Sequence, residues 1–176
     1  MRDPESVPAG DLTGSKSAGA GSQGSPPVLP LGPPRRVVLD TNVLVSLYVF
    51  EDSRFAPLRA RVESGEWLAL TSEACRAEFC RVLDYPMFRL TQERQRKAMA
   101  AYDLRAVCIG ARLGGSEAVA LPRCADRDDQ KFLELARDGT AEWLVTADKA
   151  LLKLARRERL RGLFRILSPD AAMNEA

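Results

Sequence analysis

The chain has 176 residues, 45% of them hydrophobic and 28% charged, which matches one soluble globular domain with a tail. It contains no histidine, which excludes Ser-His-Asp and Cys-His hydrolase mechanisms and every His-ligated metal site. Net charge is only +2, so the distribution of charge matters more than its sum.

Residues 1–34 read as a separate disordered tail. Seven of the eleven prolines and six of the twelve glycines lie there, a composition that buries too little apolar surface to offset the entropy of ordering. Val28-Leu29-Pro30-Leu31 is the one stretch in it with the look of a docking peptide. The folded domain is expected over residues 35–176. No apolar run approaches the roughly 20 residues of a membrane helix, and the N-terminus lacks a basic-then-apolar signal pattern. Cys75, Cys80, Cys108 and Cys124 form no CxxC pair and read as reduced core residues of a cytoplasmic protein.

Val37-Val38-Leu39-Asp40 reads as a buried strand ending in an acid. Thr41 and Asn42 are good helix-capping residues, and Val43, Leu44, Leu47 and Tyr48 follow at helical spacing. Phe55 to Ser64 reads as a helix stopped by Gly65, and Trp67 to Thr71 as the second strand. Ser72 opens a helix running to about Tyr85, ended by Pro86. Glu78 on that helix has Ala74, Cys75 and Val82 as helical neighbours, and a carboxylate on such a stripe needs a partner. Pairing with Arg81 at the stripe edge and a place in a buried site explain it equally well.

Thr91 to about Arg112 reads as one long helix ended by Gly114-Gly115, with a basic start of Arg94, Arg96 and Lys97. Glu117 to Leu121 reads as a short strand. Asp126, Asp128 and Asp129 then stand at the mouth of a helix, where negative charge suits the dipole and the unpaired N–H groups. Asp129 shares a face with Phe132, Leu133 and Ala136, which places it on the buried side. Asp128 reads as the N-cap, and Lys131, Glu134 and Arg137 as facing water. Gly139 closes the helix. Trp143 to Thr146 is a further strand, and Asp148 follows it at the head of another helix. Leu163 to Leu167 is the last strand, and Ser168-Pro169 starts a final helix. Arg156, Arg157, Arg159, Arg161 and Arg165 make the C-terminal region basic.

Strands alternating with helices imply an α/β fold: three layers, α/β/α, with a parallel, Rossmann-like sheet of four to five strands. The strand–acid–helix unit occurs twice, at Asp40 and at Asp148. Asp129 falls at the same sheet edge, and Glu78 reaches it from the helix after the second strand. Carboxylates brought together raise one another's pKa values, and a hard divalent cation relieves the repulsion; oxygen-only ligands suit Mg2+ or Mn2+. Such ions promote water attack on phosphodiesters without histidine.

Four stretches, in order, resemble the signature of PIN domains: Val38-Leu39-Asp40-Thr41-Asn42, Glu78-Phe79-Cys80-Arg81-Val82-Leu83, Asp126-Arg127-Asp128-Asp129-Gln130-Lys131-Phe132-Leu133 and Val145-Thr146-Ala147-Asp148. The branch is similar to VapC-type toxin ribonucleases, and the resemblance spans about residues 36 to 170. It implies Mg2+- or Mn2+-dependent RNA cleavage, with Asp40, Glu78, Asp129 and Asp148 as the acidic quartet and Asp126 as a further metal-site acid. It also implies Thr41, Asn42 and Thr146 as supporting polar residues, a cognate antitoxin as partner, and homodimers as in other family members. Lys149 and Lys153 are the residues expected to hold RNA phosphates. Two rivals stand beside this. A haloacid-dehalogenase-type phosphatase would need an acid two residues after Asp40, where Asn42 has no proton to give. A non-catalytic RNA-binding or scaffold module on the same fold is the second.

Overall fold

A computed structural model describes residues 32–110 and 119–175. All but the last three residues of the expected tail lie outside them, as does Gly114-Gly115. Five strands form one parallel sheet: β1 (Arg35–Leu39), β2 (Trp67–Thr71), β3 (Ala106–Cys108), β4 (Trp143–Val145) and β5 (Arg165–Leu167). Their spatial order is β3-β2-β1-β4-β5. The chain builds outwards from β1 to β2 and β3, then crosses to the other side of β1 for β4 and β5. The direction of winding therefore reverses between β1 and β4, where open α/β sheets leave a crevice at their carboxyl ends.

Side chains alternate across a strand, and β1 shows it. Val37 and Leu39 pack with α1 (Thr41–Tyr48), α2 (Ala56–Ser64), α3 (Glu73–Leu83), α4 (Gln92–Asp103) and α7 (Pro169–Asn174) on one face. Val38 packs on the other face with α5 (Gln130–Asp138) and α6 (Lys149–Leu154). Burial on both faces is why the strands read as unbroken apolar runs. At the amino ends of the sheet the rings of Trp67 and Trp143 meet edge to face at 5.4 Å. Among the described residues no helix is long and apolar enough to cross a membrane.

The third strand departs from the sequence expectation. The helix expected from Thr91 to Arg112 ends at Asp103, and Ala106–Cys108 extends beside β2, with Thr71 opposite Cys108. The Arg105 N–H closes the last turn on Tyr102 O at 2.9 Å, and the Ile109 N–H then donates to Thr71 O at 2.7 Å. Strand pairing satisfies the outer backbone groups of β2, which a continued helix would leave bare. The expected strand over Glu117 to Leu121 does not form in its described part: Val119, Ala120 and Leu121 are irregular. Cys75 and Cys124 are buried as expected, but Cys80 and Cys108 are exposed.

Two glycines are needed for different reasons. Gly65 ends α2 with φ of 80°, a left-handed conformation that a side chain disfavours. Gly139 has an ordinary φ, but a Cβ there would lie 2.8 Å from Leu70 Cδ1 and 2.9 Å from Leu135 O. The close approach lets Arg36 donate from Nε and Nη2 to Gly139 O at 2.9 and 2.7 Å, tying β1 to the end of α5. Gly139→Ala should therefore cost about 1–3 kcal/mol, read as a lower urea midpoint at unchanged slope. An unchanged midpoint would show that Leu70 yields freely.

Candidate metal and nucleic-acid site

Parallel pairing sets Leu39 opposite Val145, and the Asp40 N–H donates to Val145 O at 3.0 Å. The two strands thus deliver Asp40 and Thr146 side by side into the crevice. Both are buried. Thr146 Oγ1 donates to Asp40 Oδ2, and Asn42 Nδ2 donates to the same oxygen at 2.6 Å. The Asp148 N–H donates to Thr146 Oγ1 at 2.9 Å, and the Ala147 N–H to Asn42 Oδ1 at 3.1 Å. One hydroxyl and one amide therefore join the end of β1 to the end of β4. Asp40 Oδ1 receives no side-chain hydrogen bond. Burial pushes the Asp40 carboxyl up; the Thr146 and Asn42 bonds and the Thr41 amide oppose the rise, and the Glu78 charge adds to it.

Asp148 serves the fold as well. Its Oδ1 accepts the Ala150 and Leu151 N–H groups at 2.6 and 2.9 Å and so caps α6. Its Oδ2 takes no hydrogen bond in this cap.

Asp129, half-buried, precedes α5 and makes no capping bond with its side chain. Its carboxyl is pushed up to about 6, by burial first and then by the charges of Asp40, Asp126, Asp148 and Glu78. The charges of Asp40, Asp148 and Glu78, from separate parts of the chain, and of nearby Asp126 thus act on one carboxyl. Asp126 is exposed and its Oδ1 accepts the Asp128 N–H at 2.8 Å. The turn is thus closed by Asp126, and Asp128 is not the N-cap expected from the sequence. Gln130 fastens the preceding loop: its Oε1 accepts the Cys124 N–H at 2.8 Å.

Glu78 pairs with Lys131 and not with Arg81. Lys131, expected to face water, is largely covered and also donates to Asp128 O. The sequence held a signal for this. A lysine in the first turn of a helix sits at the wrong end of the dipole unless an acid holds it. Thr41 Oγ1, next in the chain to Asp40, is buried and makes no hydrogen bond among the described residues.

The donor set is all oxygen, which is the chemistry Mg2+ and Mn2+ take, and Oδ1 of Asp40 and Oδ2 of Asp148 are free to serve. Among the described residues no three acids or thiols yet stand close enough together to hold an ion.

Lys149 and Lys153 are exposed on α6, directly after Asp148. The arginines further on lie elsewhere. Arg156, Arg157, Arg161 and Arg165 line a cavity of about 650 Å3 along edge strand β5, together with Glu142 and Trp143 at the amino end of β4.

A parallel α/β sheet with Asp40, Thr146 and Asp148 joined at the carboxyl ends of β1 and β4 defines a small Rossmann-like protein with an acidic candidate site. The PIN domain profile matches residues 36–150, more than half of the chain and all four acids, and the chain belongs to the PIN domain family. No curated protein matches it. Among solved structures it is similar to that of the PIN domain endonuclease Utp24, at 22% identity and a TM-score of 0.42, over 79% of this chain and 88% of that one.

Proposed function

We propose that the chain is a metal-dependent endoribonuclease, the toxin of a toxin–antitoxin pair acting in the cytoplasm. The observation that carries this reading is the network of Asp40, Thr146 and Asp148 at the β1–β4 crevice, with Glu78 and Asp129 bearing on it. Asp40, Glu78, Asp129 and Asp148 would hold the ion, with Asp126 at the rim. When bound, Mg2+ or Mn2+ supplies Lewis acidity, offsetting charge that grows on a phosphodiester and making water more acidic. The protein's own residues do the positioning. Thr146 and Asn42 fix the Asp40 carboxylate by its Oδ2 and leave Oδ1 towards the crevice. The α6 N–H groups fix Asp148 by its Oδ1. Lys149 and Lys153 hold RNA phosphates beside the acids. An antitoxin and a second copy of the chain are the expected protein partners.

Purified full-length protein should cut RNA in Mn2+ or Mg2+ and stop when a chelator is added. Metal-independent RNA binding without cleavage would instead favour a non-catalytic module, the reading to which the Lys131–Glu78 pair lends its one argument. Induced expression should arrest growth, and the product of a neighbouring gene should relieve it; growth unaffected by an active nuclease would remove the toxin role. Changing Lys149 and Lys153 to Ala should weaken RNA binding and flatten its salt dependence, by about 0.7 in log–log slope for each phosphate that no longer has a lysine beside it. An unchanged slope would take both lysines out of the RNA path.

A further inference from the structure

Glu78 carries a counter-ion of the protein's own. Lys131 Nζ stands on the Glu78 carboxylate, is anchored to Asp128 O, and lies 5.1 Å from the centre of the Phe132 ring. Both side chains are largely covered, 21% exposed for Lys131 and 14% for Glu78. No other basic group contacts Glu78 among the described residues. The Glu78 charge also bears, as the smallest of the causes, on Asp40 and Asp129. One ammonium therefore neutralises one member of an acidic group and leaves the others facing each other.

We infer that Lys131 is a built-in competitor for the metal at Glu78: a divalent ion bound there must displace its ammonium. The inference rests on the metal-holding reading above and concerns how that site is filled. The competition follows from charge. A single carboxylate contested by an ammonium and a divalent cation goes to the cation when further carboxylates lie within its reach, because the cation carries twice the charge and takes several oxygen ligands at once. The geometry permits the exchange. The pair lines a cavity of about 300 Å3 between α3 and α5, with Ala74, Ala77 and Arg81 on its walls. Lys131 also borders a neighbouring cavity of about 580 Å3, where Glu73, Glu134 and Asp138 offer other carboxylates to a freed ammonium. A four-carbon stem rooted in the first turn of α5 has room to swing without unwinding the helix.

Two measurements on the full chain test this. The first is a calorimetric Mn2+ titration of the natural chain and of Lys131→Gln. The variant should bind with a Kd roughly fivefold to tenfold lower, since no internal cation need leave. The second needs no variant: acylation of lysines by an amine-reactive ester, followed by peptide mass spectrometry. Lys131 should be modified several times faster at saturating Mn2+ than in chelator, while exposed Lys97 changes little. If the variant binds Mn2+ no more tightly, or Lys131 stays protected in the loaded protein, the pair is a fixed strut between α3 and α5 and the inference falls. If the natural chain takes up no Mn2+ at all, the metal reading itself falls and this inference with it.

Discussion

Asp129→Asn should melt higher than the natural chain at pH 7.5 in chelator, and should cleave RNA about two to three orders of magnitude more slowly. The stability gain follows from the raised carboxyl of Asp129, which sits at about 6 against an ordinary 3.8. A raised folded-state pKa means that the native protein keeps a proton which the unfolded chain has already lost. Stability is thus greatest below about 4, falls as pH rises from about 4 to 6, and stays reduced above that. Asp129 is only partly buried, so screening reduces the effect to about 1 kcal/mol, or roughly 2–4 °C of melting temperature. Asparagine removes the charge and keeps the shape, so the variant should also lose most of the slope between pH 4 and 6. The loss of cleavage follows from removing one donor from the group that orders the reaction. General damage cannot raise stability and abolish activity together. A lower melting temperature in chelator would show that Asp129 is structural.

Asp40 should behave in the opposite way. Asp40→Ala should cost about 2–4 kcal/mol, because it leaves the buried Thr146 hydroxyl without its acceptor, removes the Asn42 bond and opens a gap between β1 and β4. Asp40→Asn can still present one oxygen to both donors, so it should keep most of that stability. Both should be inactive. Chemical denaturation of the three proteins at pH 7.5 separates the cases: two variants of equal stability would mean that the hydrogen bonds to Asp40 contribute little to the join between the strands.

The places of Asp40 and Asp148 in the fold were legible in the sequence because both sit in a repeated pattern. A continuous apolar run, an acid and a capped helix place Asp40 and Asp148 at carboxyl ends of strands, and the topology makes those strands neighbours. Asp129 was legible from its helical face. Glu78 was not decided by spacing, because Arg81 on the same helix offered a partner, and only the packing of α3 on α5 brings Lys131 to it. β3 was illegible for a related reason. Its three residues form an edge strand, with Val107 and Cys108 exposed, so no apolar pattern interrupts the helical one that precedes it. The strand exists because β2 has an unpaired edge, a fact of tertiary structure that local propensity does not carry.

The central claim is that Asp40, Glu78, Asp129 and Asp148, far apart in the chain, form one ion site. A calorimetric Mn2+ titration of the full chain and of Asp40→Asn, Glu78→Gln, Asp129→Asn and Asp148→Asn tests it most directly. One shared site predicts saturable binding by the natural chain and a Kd raised about tenfold or more by each substitution. Binding left unchanged by two or more of them, in proteins that remain folded, would contradict a shared site.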